Sequence, residues 1–134
     1  MTGVQTCALP ICTDAPQASR GHSLIAALLF NAGEGEAALR HAEAGLASAA
    51  GLAPAQHARA LHALASVRWR ATKNAHGSLP LMDQAEPLAE AAGANDVVAS
   101  VCALRAFIVG QHLRDAAQAE ALHTRATEIG RAHV

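Results

Sequence analysis

The sequence predicts an all-α chain: an α-solenoid of about three antiparallel hairpins made from six helices, with the last hairpin cut short. Three observations lead there. Alanine fills 35 of 134 positions while aromatic residues make up only 2%, which favours helix and a core of small side chains. No stretch alternates polar and apolar residues, and no Asn-Gly or Asp-Gly turn joins two apolar runs, so strand hairpins are not predicted. Short segments also recur. Leu46-Ala47-Ser48-Ala49-Ala50-Gly51 returns as Leu88-Ala89-Glu90-Ala91-Ala92-Gly93, and Leu61-His62-Ala63-Leu64 returns as Val101-Cys102-Ala103-Leu104. The stretch Leu24-Ile25-Ala26-Ala27-Leu28 precedes 61–64 by a similar interval. A period of roughly 36–42 residues corresponds to one helix pair per repeat.

The elements follow from their punctuation. The first helix is expected over 16–31, with Asp14 placed to cap it and Leu24, Ile25, Leu28 and Leu29 as its apolar stripe. Gly33 ends it. The second helix covers 36–50 and stops at Gly51, a residue suited to a left-handed C-cap. Pro54 opens the third, where a missing N–H costs nothing, and Leu61, Leu64, Ala65 and Val67 line its buried side. Residues 74–78 read as a loop, with Ser78 capping a fourth helix that runs to Ala92. Pro87 should kink or shorten that helix. Asn95 or Asp96 caps the fifth, which carries Val97, Val98, Val101, Leu104 and Ile108 and ends near Gly110. The sixth starts at Leu113 or Arg114.

Composition narrows the functional classes. With 16% charged residues and a net charge of −1, the chain is too apolar for disorder and too balanced for a dedicated nucleic-acid binder. No apolar run approaches the roughly 18–20 residues that span a bilayer.

Both ends resemble translated sequencing adapter, residues 1–11 and 128–134. A DNA strand encoding Thr6-Cys7-Ala8-Leu9-Pro10-Ile11 and the first base of the Cys12 codon has a reverse complement that, after one added G, reads Glu128-Ile129-Gly130-Arg131-Ala132-His133 and begins the codon of Val134. The N-terminal stretch also lacks the basic n-region and unbroken apolar core of a signal peptide. The native portion is therefore expected to be 12–127, with repeats over 14–51, 54–93 and 95–127, as a window from a longer protein. Cys7 falls in the adapter and Cys12 at its edge, so Cys102 is the one secure thiol and no disulfide framework is predicted.

Asn31-Ala32-Gly33-Glu34-Gly35-Glu36-Ala37-Ala38-Leu39, followed by Gly45-Leu46, resembles the turn and second helix of a tetratricopeptide repeat. Small residues seven apart in that helix allow close approach of its neighbour. Ala38 and Gly45 have this spacing, as do Pro80 and Pro87 in the second repeat and Ala119 and Ala126 in the third. The stretch 58–70 resembles the first helix of longer bacterial repeats found in large ATPase-containing, LuxR-type transcriptional regulators. The resemblance implies a right-handed stack, a cytoplasmic regulatory parent with neighbouring domains, and protein or peptide partners. One departure is that Thr72-Lys73-Asn74 replaces the Gly-acid turn in the second repeat.

Charge is layered. The leading helices of the three hairpins, with their caps and loops, carry Arg20, Arg59, Arg68, Arg70, Lys73 and Arg105 against Asp14 and Asp96. The trailing helices carry Arg40, Arg114 and Arg125 against eight carboxylates. In the third helix Arg59, His62, Ser66, Arg70 and Lys73 recur at steps of three and four, one polar stripe opposite the leucines. In tetratricopeptide stacks the leading helices line the concave groove, so the resemblance implies a basic groove. Its candidate lining is Arg20, Ser23, Phe30, Asn31, Arg59, His62, Ser66, Trp69, Arg70 and Lys73. Arginine offers paired donors to carboxylate oxygens, so an acidic peptide or free carboxylate is the expected ligand. The same stripe also suits a plain solvated face, and Trp69 and Phe30 suit an inter-repeat core.

No catalytic, cofactor-binding or metal-ligating residues are assigned. His57 and His62 are five apart and share no helix face, and no His-Glu-x-x-His run occurs. The Gly-Glu-Gly of 33–35 lacks the Lys-Ser/Thr of a phosphate loop. Two rival classes remain: a closed bundle with a phosphotransfer or metal-binding His, and a nucleic-acid-binding helical array using the basic stripe.

Overall fold

A computed structural model describes residues 14–133. The predicted adapter segment 1–11, with Cys7 and the neighbouring Cys12, lies outside the described residues. Among the described residues six α-helices follow one another: α1 (Ala15–Asn31), α2 (Gly35–Ala49), α3 (Pro54–Thr72), α4 (Ala75–Ala91), α5 (Asn95–Ile108) and α6 (Ala116–His133). A π-helical turn, Val109–Leu113, extends α5. The chain is all-α, and no strand occurs among the described residues.

The helices pair as antiparallel hairpins, α1 with α2, α3 with α4 and α5 with α6, and the hairpins stack in series. The leading helices α1, α3 and α5 touch one another along the stack, and each trailing helix also packs on the next leading helix. No comparable contact joins the trailing helices. A stack held closer on its leading side curves towards that side, which makes the leading layer the inner one.

The turns show the repeat most clearly. Gly33, Lys73 and Arg114 each adopt positive φ (88°, 55° and 56°) between leading and trailing helix. Gly51 and Gly93 do so (81° and 65°) between trailing helix and next hairpin. Lys73 and Arg114 take a conformation that favours glycine, so the hairpin turn imposes it at positions where the sequence offers no such residue.

Several boundaries differ from the sequence reading. Helix α4 begins at Ala75 because Asn74, not Ser78, is the cap; the Asn74 side chain accepts a bond from the Gly77 amide at 2.8 Å. Ser78 is instead buried, and its hydroxyl donates to the Asn74 carbonyl at 2.8 Å. Asn95 and Asp96 give no side-chain cap to α5. The fifth α-helix ends at Ile108, close to the expected Gly110, which itself lies in the π turn that follows. Helix α6 starts at Ala116, capped by Asp115, which accepts from the Gln118 amide at 3.0 Å. Pro80 and Pro87 lie inside α4 without ending it. Both are exposed, so the carbonyls they leave without an amide partner, those of His76 and Asp83, lie on the solvent side.

Burial sets the register. Helix α2 buries Ala38, Ala42, Gly45 and Ala49, and α4 buries Ser78, Met82, Ala85 and Ala89, the same four places one repeat further on. The small pair of the second repeat is thus Ser78 and Ala85, not Pro80 and Pro87. In α6 Ala119 and Ala126 do face inward, half-buried. Gly45 shows why size matters: a Cβ there would stand 3.2 Å from the Cβ of His22 and 3.3 Å from the Ser19 carbonyl. The Ser19 hydroxyl donates to the Gly45 carbonyl at 2.9 Å, fastening α1 to α2.

The core forms two clusters. The larger joins α3 to α6 around Leu61, Trp69, Met82, Val101 and Ile108, and the smaller joins α1, α2 and α3 around Ala26, Ala38, Leu64 and Val67. The predicted apolar stripe of α1 is corrected: Leu24 and Leu28 are 64% and 61% exposed, and Ala18, Ser19 and Ala26 are buried. The run Asn95–Leu113 is also long and apolar enough to cross a membrane, at mean hydropathy 1.3, against the expectation that no run reaches that length. Here that apolar character serves the core, through Val97, Val98, Val101 and Ile108, with Arg105 ion-paired in its middle.

Candidate binding groove

Helices α1 and α3 lie side by side, and a cleft of about 160 Å³ opens between their N-terminal halves. Arg20 and Ser23 line it from α1, and Gln56 and Arg59 from α3, over a floor that includes Ser19 and Ala60. Three of the ten predicted groove residues, Arg20, Ser23 and Arg59, therefore converge. Arg59 also reaches forward to α5, where its Nη2 donates to Asp96 Oδ2 at 3.0 Å and Oδ1 at 3.3 Å. Both side chains are about half exposed, 48% and 55%. The Arg59 guanidinium holds the Asp96 carboxyl below its ordinary range.

The C-terminal halves hold the aromatic residues. The Arg70 guanidinium lies 4.1 Å from the Phe30 ring centre, a cation–π contact linking α3 to α1. Lys73 Nζ stands 5.4 Å from the Trp69 ring centre, and His112 meets Trp69 edge-on at 5.8 Å. Trp69 itself is buried, with its indole N–H unpartnered, so it serves the core rather than lining a groove. His62 and Ser66 lie half-buried between these two zones. Burial lowers the His62 pKa, with a smaller opposing contribution from the Ser100 backbone. Asn31 is exposed at the end of α1 and joins neither zone.

The two charge layers partly consume each other. Arg68, which lies outside the stripe, reaches Glu43 of α2 at 3.7 Å, and its Nη1 donates to the Gly77 carbonyl at 3.0 Å. Arg105 reaches Asp83 and Glu86 of α4, both at 3.1 Å. Arg125 of α6 pairs with Glu86 and Glu90. That leaves Arg20, Arg59, Arg70 and Lys73 among the leading-layer cations, of which Arg59 is engaged by Asp96.

Sequence reasoning missed the network around Glu86, which draws on α4, α5 and α6 at once. Its one sequence signal is the pairing of Glu86 with Glu90 on one helix face, and nothing local announces the arginines from other helices. The Cys102 thiol borders it, 3.9 Å from Glu86 Oε1, and burial pushes that thiol's pKa up, away from a reactive thiolate. Among the described residues no group of three or more His, Cys, Asp or Glu side chains is placed to hold a metal ion.

No family model matches this chain, and no curated protein or solved structure matches it either.

Proposed function

We propose that this chain is a non-catalytic binding scaffold whose inner layer takes an acidic peptide or a free carboxylate. The observation that carries this reading is the α1–α3 cleft, whose α1 wall holds Arg20 and Ser23 and whose α3 wall holds Gln56 and Arg59. Guanidinium groups suit the planar, paired acceptors of a carboxylate. Asp96 already occupies one side of Arg59 in this way, so a peptide carboxylate would compete with a partner of its own kind. The tetratricopeptide resemblance points in the same direction and adds a cytoplasmic bacterial regulator as the parent protein, with further domains as neighbours.

The test is binding of a fluorescent acidic peptide followed by anisotropy. Arg20→Ala with Arg59→Ala, and separately Arg59→Ala with Arg70→Ala, should abolish binding while the far-ultraviolet circular dichroism stays unchanged. Unaltered affinity in both double variants would sink the reading. A salt series separates it from nucleic-acid binding, since phosphate contacts release counterions and weaken steeply with ionic strength.

A further inference from the structure

The first hairpin holds a pair of imidazoles that the groove does not use. His22 of α1 and His41 of α2 come from different helices, yet their Nδ1 atoms stand 3.1 Å apart, with ring centres at 5.3 Å and planes tilted by 39°. The close approach has an identifiable cause. Gly45, one turn beyond His41 on the same face of α2, has no side chain, and a Cβ there would stand 3.2 Å from the His22 Cβ. The Ser19–Gly45 hydrogen bond holds the two helices at that distance. The pair opens on a shallow cleft of about 180 Å³ lined by Ala37, Arg40 and Ala44, so water reaches it.

We propose that His22 and His41 form a two-imidazole site for a divalent transition-metal ion of the copper, nickel or zinc type. Metal–imidazole bonds are roughly 2.0–2.1 Å. Two ligands at a right angle on such an ion lie about 2.9 Å apart, and at a tetrahedral angle about 3.3 Å. The observed 3.1 Å falls between these, so the nitrogen separation needs only a few tenths of an ångström of adjustment, and the two rings turn about their side-chain bonds to bring both lone pairs onto the ion. Without metal, one Nδ1–H donates to the other Nδ1. Chelation needs both Nδ1 lone pairs, which the donor supplies by moving its proton to Nε2, so the two neutral rings lose no proton overall. The remaining coordination positions face the cleft and fall to water. Arg40, the cation in the lining, is engaged by Glu36 at 3.4 Å. Among the described residues no carboxylate lines the cleft, which disfavours magnesium and calcium, since these need oxygen ligands, and copper(II) should bind most tightly.

The experiment titrates the untagged chain with copper(II), nickel(II) and magnesium salts, following visible absorption and heat. One equivalent of copper(II) should bind, with nickel(II) weaker and magnesium silent. His22→Gln and His41→Gln should each lose that equivalent, while His57→Gln and His123→Gln keep it. Because the site ties α1 to α2 only in the folded chain, nickel(II) should raise the melting temperature of the parent and not of the two loss variants. Should a variant unfold, histidine acylation of the parent decides the matter: metal should protect His22 and His41 specifically. Absence of binding by the parent, binding unchanged in His22→Gln, or protection spread evenly over all histidines overturns the site.

Discussion

Leu24 and Leu64 occupy the same place in successive leading helices, one repeat apart, and meet opposite fates. Leu64 is 3% exposed and Leu24 is 64% exposed. The residue and its helix position are the same, and only the neighbours differ. Helix α3 has α1 on one side and α5 on the other, whereas among the described residues α1 has a leading neighbour on one side only. In a stacked array a residue's burial thus belongs to the interface between repeats more than to the repeat itself.

That difference makes the largest prediction. Leu64→Ala should cost about 2–5 kcal/mol in denaturant unfolding, through lost transfer energy and the cavity left behind. Leu24→Ala should stay within about 0.5 kcal/mol. Equal losses at the two sites would show that α1 is covered in solution. A smaller effect separates the packed and open sides of the first hairpin. Gly45→Leu should destabilise by about 1–3 kcal/mol by forcing α1 off α2, whereas Leu28→Ser, on the open side of α1, should leave the unfolding midpoint unchanged.

The smallest effect concerns His62, the counterpart of His22 in the second repeat. Its folded pKa is lowered by burial, so the unfolded chain binds more protons near neutrality. Its share of stability is therefore present above the ordinary histidine value of about 6.5 and is lost as pH falls from there to the lowered folded value. His62→Gln should flatten that part of the stability–pH profile, and an unchanged slope would show that His62 stays solvated.

Much of the fold was legible. Gly33, Gly51 and Gly93 sit at turns because a left-handed backbone favours a residue without Cβ, and that requirement leaves a mark in sequence. Pro54 and Asp14 mark helix starts for equally local reasons. Asn74 is harder to read, because a cap followed by a glycine and a proline looks like a loop until the helix beyond it is known. Lys73 and Arg114 at positive φ leave no sign at all. In the candidate groove, the stripe of α3 was readable from its spacing, and Arg68 and Arg105 stood outside the predicted lining. What was not readable is the carboxylates that engage those two, which lie on other helices at distances no helical period encodes.

The sequence by itself determined the class of the protein: helices, their approximate ends, the hairpin period and the opposed charge of leading and trailing segments. Each is a local property, set by backbone propensity, turn conformation and side-chain type. Tertiary structure decided which leucines are core, which arginines face the cleft, that Trp69 is buried, and that His22 meets His41. All of these depend on how helices far apart in the chain pack on one another, as Gly45 lets His22 approach His41.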